Sequence, residues 1–323
     1  MRNATQSDAG ANTCSTKMAR ESPGPDKETS WVDENVTGTA TKVPIQIFTL
    51  GRFSITIDEQ MFRSKGKAKH RPLALLKALI ALGGRDVSSS LLCECLWPDS
   101  EGDLGVRNLT ITLHRLRSLL QTKAAVVCVN GKLSLNEGMC WVDAWSFERL
   151  VNDGLRRLDD PLIGNASELP LRRALNLYAG DFLALESEES WMMAPRLRLR
   201  TKFERMVCAL SMHLEHEKRF PAAIDLCLQA LELDPLNELL YRRLMSCYLK
   251  QGEFAGAMGT YLRCREALAK GLAAPISSET ERLYLEASRA AAERGITQPA
   301  RLAPVLTVRS QSMQMHSLAR LIQ

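Results

Sequence analysis

Residues 106–120 read VRNLTITLHRLRSLL, and this stretch decides the fold. Its apolar positions Leu109, Leu113, Leu116 and Leu120 are spaced by four, three and four residues. That is the period at which one face of an α-helix buries against a core. At about 100° per residue, the opposite face carries polar or cationic side chains and one isoleucine. These outward residues are Arg107, Asn108, Ile111, His114, Arg115 and Ser118.

A basic hairpin is predicted directly after this helix. Residues 126–129 and 132–135 are short apolar runs around Asn130-Gly131, a dipeptide that strongly favours a two-residue hairpin turn. Between Leu104 and Asn136 the sequence has no acidic residue, and its cations there are Arg107, Arg115, Arg117, Lys123 and Lys132. A helix with a cationic outer face, followed by a basic hairpin, is typical of proteins that enter a DNA groove. An ordinary solvated surface helix is the alternative.

Two observations favour the DNA interpretation. The whole chain is only mildly basic, with 42 basic and 37 acidic residues, so the absence of acids here is a local feature. Ile111 lies at the centre of the outward face, where water would favour a polar side chain. In a major groove it could contact a thymine methyl group.

The composition places the chain among ordinary globular proteins. Its 323 residues suffice for about two domains. Hydrophobic residues make up 45% and charged residues 24%, and no run of about 18 apolar residues predicts a membrane span. The N-terminus lacks the apolar segment of a secretion signal. Nine scattered cysteines fit a reducing compartment, so we expect a cytoplasmic protein.

The order of the elements around the helix predicts a winged helix over residues 43–143. Alternating apolar residues in 45–57 predict two antiparallel strands, to which Gln60-Met61-Phe62 could add a short third. One helix is expected from about Pro72 to Gly83-Gly84, and a second from the serines at 88–90 to Leu96, stopped by Pro98. Residues 1–42 have no periodicity and are predicted to be a disordered tail.

A second cationic stretch lies between the strands and the first helix. Residues 63–77 carry six cations and no acid, namely Arg63, Lys65, Lys67, Lys69, Arg71 and Lys77. A solvated loop leading into a helix is one interpretation. Beside a DNA-binding helix the stretch could instead contact phosphates, which adds affinity without sequence information.

The second half of the chain is predicted to be all-α. Phe220 and Phe254 are 34 residues apart, and so are Ala223 and Ala257, which is the tetratricopeptide repeat length. Stacked helix pairs of this kind form a groove for a peptide or partner, or a dimerisation surface. A scaffold that only holds the winged helix is the alternative. We expect this helical domain to span 144–294 and a flexible basic tail to follow at 295–323. Helices are predicted at about 146–158, 169–179, 191–217, 221–233, 237–250, 253–270 and 278–293.

Enzymatic motifs are absent from the sequence. His213 and His216 are three apart on a predicted helix, but no third metal ligand is recognisable nearby, and Glu215 and Glu217 are interpreted as part of a charged helix face. Gly66-Lys67 lacks the spacing of a phosphate-binding loop, and no nucleophile elbow occurs. We therefore predict no enzyme activity, no cofactor and no metal.

Several short motifs resemble a known family. In the first half they are Phe48-Thr-Leu-Gly-Arg-Phe53, Leu75-Leu-Lys-Ala-Leu-Ile80, Leu96-Trp-Pro-Asp99, Leu113-His-Arg-Leu-Arg117, Asn130-Gly-Lys-Leu-Ser-Leu135 and Cys140-Trp-Val-Asp143. In the second half they are Tyr178-Ala-Gly-Asp-Phe182, Trp191, Leu233-Asp-Pro235 and Gly271-Leu-Ala-Ala-Pro275. The first half resembles the OmpR-type winged helix-turn-helix at the front of bacterial transcriptional activator domain (BTAD) proteins. The second half resembles the BTAD itself. This group includes the Streptomyces antibiotic regulatory proteins.

The resemblance implies where DNA would be bound. The third helix would enter the major groove, and the hairpin would lie over a minor groove or the phosphate backbone. Base readout then falls among Arg107, Asn108, Ile111, His114 and Arg115, with Thr110 beside them. Phosphate contact falls to Arg117, Lys123 and Lys132. Arg117 lies near the core face, where pairing with an internal acid is the alternative.

The resemblance also implies a function. The chain would be a sequence-specific transcriptional activator that binds a direct repeat in double-stranded promoter DNA. Its helical repeats would mediate homodimer formation, or contact RNA polymerase or another regulator. The alternative is a tetratricopeptide-type interaction scaffold whose winged helix no longer binds DNA.

Overall fold

A small sheet opens the described part of the chain. The structure is a computed structural model, and it describes residues 43–62, 70–100, 102–158 and 168–295. Strands β1 (Ile45–Phe48), β2 (Ser54–Ile57) and β3 (Gln60–Met61) are antiparallel neighbours, as the alternation predicts. The predicted tails at 1–42 and, beyond Gly295, at the C-terminus lie outside the described residues.

Three helices follow in the predicted order, with two corrections to their starts. Helix α1 (His70–Ala81) begins two residues before Pro72, and α2 (Ser89–Leu96) is capped by Ser88, whose hydroxyl accepts from the Ser90 N–H. Helix α3 (Gly102–Leu119) begins four residues before Val106. Its first turn therefore includes Asp103, and a carboxylate there interacts favourably with the helix dipole.

The hairpin is confirmed and gains a third strand. Strands β5 (Val126–Val129) and β6 (Lys132–Leu135) pair around Asn130 (φ 50°) and Gly131 (φ 72°), the two positive φ angles of a type I′ turn. This third strand is β4 (Val87–Ser88), which pairs with β6 and was not predicted from the sequence. Strand β7 (Cys140–Val142) was not predicted either. It lies parallel to β1 and forms an edge of the first sheet. We call residues 43–142 the winged-helix region.

In the remainder, the helical region (143–295), the regular elements of the described residues are helices, apart from one isolated β-bridge. Each predicted helix is present, with ends within three residues of the expectation. The helices are α4 (Asp143–Leu158), α5 (Glu168–Leu177), α6 (Ser190–His216), α7 (Phe220–Leu233), α8 (Glu238–Gln251), α9 (Phe254–Gly271) and α10 (Ser278–Glu293).

The 34-residue repeat is visible in the packing. Phe220 and Phe254 are the first residues of α7 and α9. Ala223 and Ala257 are fully buried at matching positions of these helices, and Leu210 and Leu244 are fully buried in α6 and α8. The pairs α6–α7 and α8–α9 stack on each other, and α10 packs against the second pair. The tetratricopeptide-like architecture is confirmed.

Asp143 fastens the helical region to the winged-helix region. Its carboxylate is buried and accepts hydrogen bonds from the backbone N–H groups of Thr49 (2.8 Å), Leu50 (2.9 Å) and Ala144 (2.7 Å). The Thr49 hydroxyl donates a fourth, at 2.7 Å. Burial raises the pKa of this carboxyl group, and the four hydrogen bonds offset part of that rise. The end of β1 is thereby held against the start of α4.

The segment after β1 makes a second connection. Leu50 forms a β-bridge with Phe182, and the Gly51 N–H donates to the Asp181 carbonyl at 2.9 Å. Gly51 has φ +82°, and a Cβ there would lie 2.8 Å from the Ala179 carbonyl oxygen, so no other residue fits without strain. With these contacts the described residues from 43 to 295 form one compact unit. The domain boundary at 143/144 stays a prediction.

Candidate nucleic-acid interface

The helix α3 presents the face that its sequence predicts. Leu109, Leu113, Leu116 and Leu120, which follows its last turn, are buried at 8% exposure or less. On the opposite side Arg107, His114 and Arg115 are exposed, Asn108 is half-buried, and Ile111 is 44% exposed. We call these five outward residues the recognition face.

Two further predicted residues of α3 have contacts within the protein. The Thr110 hydroxyl donates to the Val106 carbonyl at 2.9 Å, so its donor is used by the helix itself. Arg117 is half-buried and donates from Nε (3.0 Å) and Nη2 (2.8 Å) to the Val126 carbonyl. Arg117 therefore joins α3 to the hairpin, and its internal partner is a carbonyl group in place of an acid.

The hairpin is held in place at its tip. Both the N–H and the hydroxyl of Ser89, the first residue of α2, donate to the Gly131 carbonyl, at 2.8 and 2.6 Å. Lys132 is exposed beside this anchor, and Lys123 is exposed in the turn that leads into β5. Val127 and Val129 are 41% and 59% exposed on the outer strand, an apolar edge that the sequence analysis did not single out.

The exposed cations of this surface have no partner among the described residues. Arg107, Arg115, Lys123 and Lys132 form no ion pair and no side-chain hydrogen bond with any residue in the described ranges. Their charges are therefore free to meet an external anion.

The interpretation of the cationic stretch 63–77 needs one correction. Residues 63–69 lie outside the described residues. Lys77 was interpreted as a phosphate contact, and this is wrong, because the side chain is buried against the helical region. Its Nζ lies 2.6 Å from a Glu186 carboxylate oxygen and 4.3 Å from the centre of the Phe53 ring. Arg71 is exposed and donates to the Leu96 carbonyl at 3.0 Å.

The interpretation of the acids near His213 is also corrected. Glu215 is buried, and its carboxylate pairs with Arg243 and Lys250, so it does not continue a solvated face. Glu217 and the distant Glu168 both lie beside His213. The sequence could not show Glu168, because it lies on a different helix.

The described residues thus form a winged helix with unpaired cations on its third helix, joined to stacked helical repeats. The family described as "Bacterial transcriptional activator domain" has a model that matches residues 142–287. Residues 142–287 therefore match this domain, and the resemblance found in the second half of the sequence is confirmed.

A solved structure supports the fold. The chain is similar to EmbR of Mycobacterium tuberculosis, solved in complex with a low-affinity phosphopeptide, with 18% identity and a TM-score of 0.59. The match covers 76% of this chain and 65% of EmbR, just under two thirds of that protein's length. At this identity the likeness shows the fold alone.

Other comparisons add little. The TPR2B domain of yeast Sti1, solved in a complex with pHsp70, is 19% identical over 45% of this chain and 98% of its own length. Its TM-score of 0.28 is too low to support an argument. No curated protein gives a significant match. Among the helices in the described ranges, none combines the length and apolarity of a membrane span.

Proposed function

We propose that the chain binds double-stranded promoter DNA in a sequence-specific manner, and that it activates transcription in the cytoplasm. In this proposal the recognition face of α3 enters the major groove, and the hairpin contacts the adjacent backbone. Arg107, Asn108, Thr110, Ile111, His114 and Arg115 are assigned to the groove, and Arg117, Lys123 and Lys132 to phosphates.

The absence of internal partners for Arg107, Arg115, Lys123 and Lys132, within the described ranges, carries the proposal. An exposed helix that only faced water would gain stability from carboxylates placed three or four residues from its cations. Over residues 105–135 this surface has no carboxylate, and Asp103, four residues before Arg107, forms no ion pair with it. Phosphates supply the missing anions, and each contact releases counterions, so binding should weaken steeply with salt.

A gel shift with the full chain and the DNA upstream of its own gene tests this proposal. We expect retardation that weakens as salt rises, and weaker binding by the variants Arg115→Ala and Lys132→Ala. Arg205→Ala is the matched control, because Arg205 is exposed on α6 and also forms no ion pair with a described residue. If wild type shows no salt-sensitive DNA binding, the winged helix serves an interaction scaffold and the proposal fails.

Whether the chain activates or represses transcription needs its own measurement, because the activator role comes from the family resemblance and not from any residue. A promoter reporter should give a higher signal with the chain than without it. A lower signal from a promoter that the chain binds would make it a repressor.

The helical region would contact a second copy of the chain, RNA polymerase or another regulator. Exposed apolar side chains support this part of the proposal, because Leu185 is 77%, Met193 58% and Leu197 69% exposed. Met193 and Leu197 are four residues apart and share one face of α6. Replacing Leu197 by Glu should leave the unfolding midpoint within error and lower the association or the transcriptional output. If the association and the transcriptional output both stay unchanged, this face of α6 is not the contact surface.

A further inference from the structure

Three potential metal-ligating side chains meet where α5 packs against the end of α6. The His213 Nε2 atom lies 3.5 Å from a Glu217 carboxylate oxygen and 3.9 Å from a Glu168 carboxylate oxygen. All three ligand atoms lie within 4.8 Å of one another. Ligands bound tetrahedrally at about 2.0–2.1 Å from one ion are roughly 3.4 Å apart, so both distances from His213 are close to those of a metal centre.

The imidazole nitrogen in this cluster lacks a partner. His213 Nε2 is buried and has no hydrogen bond with any residue in the described ranges. A buried polar nitrogen without a partner is uncommon, and it calls for a specific explanation such as an ion or a water molecule. The neighbouring His216 is exposed and is not part of the cluster.

The buried carboxylate is oriented as a metal ligand would be. Arg172 donates from Nε (2.9 Å) and Nη2 (2.7 Å) to one oxygen of Glu168, and the other oxygen points toward His213. Burial opposes ionisation of Glu168, but hydrogen bonds from Arg172 and Arg219 hold its pKa below the usual value. An outer hydrogen bond of this kind commonly fixes the orientation of a ligating carboxylate.

A cation already occupies the space between the two acids. Arg219 Nη1 contacts the Glu168 oxygen that faces His213, and it donates to Glu217 at 2.9 Å. The Arg219 side chain is 42% exposed, so its guanidinium can move into water without crossing the core. A small divalent ion placed there would neutralise both carboxylates and also bond to the imidazole nitrogen, with which Arg219 forms no hydrogen bond.

The geometry points to a binding site for a divalent transition metal of the zinc type, formed by Glu168, His213 and Glu217 and opened when Arg219 swings out. One imidazole and two carboxylates are ligands that suit Zn²⁺, and they leave a fourth position for water. The ion would join α5 to the end of α6. Because α5 leads directly into the segment that holds Leu50 and Gly51, the metal would stabilise the attachment of the winged-helix region. The site does not depend on DNA binding.

Isothermal titration of the metal-free full chain with ZnCl2 tests the proposal. We expect one site per chain, and His213→Ala should weaken it by about 100-fold or more, beyond what the loss of an outer-shell partner costs. His216→Ala is the matched control and should bind as wild type. Absence of saturable zinc binding by wild type, or equal binding by His213→Ala, would overturn the proposal. So would loss of the site in His216→Ala.

Arg219→Ala gives an outcome that a purely structural ion-pair network does not predict. Removing the competing guanidinium should tighten zinc binding by about tenfold, whereas unchanged or weaker binding contradicts the displacement of Arg219. If His213→Ala does not fold by circular dichroism, Glu217→Gln replaces it, because Glu217 is partly exposed. The same loss of zinc affinity is expected for Glu217→Gln, and wild-type affinity would overturn the proposal.

Discussion

The cations of the two regions differ in what surrounds them. In the helical region Arg243 and Lys250 pair with the buried Glu215, and Arg200 pairs with Asp234. On α3 and the hairpin, Arg115 and Lys132 meet no carboxylate among the described residues. Both regions are rich in arginine, so composition alone does not separate them.

This difference separates charges that hold the fold from charges available to a partner. A paired and buried guanidinium contributes to stability, and its loss leaves an uncompensated acid in the core. An exposed, unpaired one contributes little to stability, so its loss should alter binding alone. Replacing an arginine by alanine should therefore lower the stability of the fold in the helical region, but lower only binding on α3.

The largest effect is expected from Arg243→Ala. It removes the guanidinium from Glu215 Oε1, which then keeps only the Cys247 thiol at 3.1 Å among the described residues, and from the Ser211 hydroxyl (3.1 Å). The Glu215 side chain is only 4% exposed. Breaking such a buried pair costs about 3–5 kcal/mol, even though Lys250 still contacts the other oxygen of Glu215. Urea unfolding measures the change in the free energy of unfolding. Arg115→Ala should change stability by no more than about 0.5 kcal/mol, and equal effects would remove the distinction between the regions.

Leu116→Ala should come next, because it tests which side of α3 faces the core. Leu116 is fully buried, and truncation should cost about 2–5 kcal/mol through the cavity that it leaves. Ile111→Ala, on the recognition face of the same helix, is the control and should leave thermal unfolding nearly unchanged. The reverse ranking of the two variants would show that the wrong face has been assigned to DNA.

A smaller and more selective effect is expected from Arg107→Ala and His114→Ala. If each side chain reads a base, its removal should cost about 1–3 kcal/mol of binding free energy and relax preference at one base position. Competition with a panel of sites, each altered at one position, measures this. Uniformly weaker binding across the panel would assign these residues to the backbone.

Lys132→Ala should have the smallest effect, and the least selective one. Without its amine on a phosphate, the hairpin should bind all sites more weakly to the same degree, and the slope of log affinity against log salt should fall by about one. Lys270→Ala is the matched control, since Lys270 is exposed on α9 and already pairs with Glu266. A selective effect of Lys132→Ala on some sites would place the amine in a groove.

Local patterns account for what could be predicted from the sequence. The leucine spacing of α3 and Asn130-Gly131 of the hairpin depend on neighbours a few residues away, and both are confirmed. Lys77 was misjudged because its partner Glu186 lies on a distant segment, and a run of cations alone cannot show which of them is buried.

Long-range partners account for what was missed. Thr49 and Asp143 are 94 residues apart, and no periodicity in the sequence indicates that the Asp143 carboxylate accepts hydrogen bonds from Thr49. The pairing of β7 with β1 and the approach of Glu168 to His213 were missed for the same reason. The recognition face followed from the helical period, whereas the cluster around His213 required the tertiary structure.

In the proposed complex with DNA, the attachment of Thr49 and Leu50 to Asp143 would determine how two bound copies must be spaced. Because these hydrogen bonds and the Leu50–Phe182 bridge hold the helical region to the end of β1, its direction around the double helix would be set once α3 lies in the groove. Two copies on neighbouring sites would face the same side only when their sites are separated by whole turns, about 10.5 base pairs each. Inserting half a turn of DNA would turn their helical regions to opposite sides, and a full turn would bring them back into line.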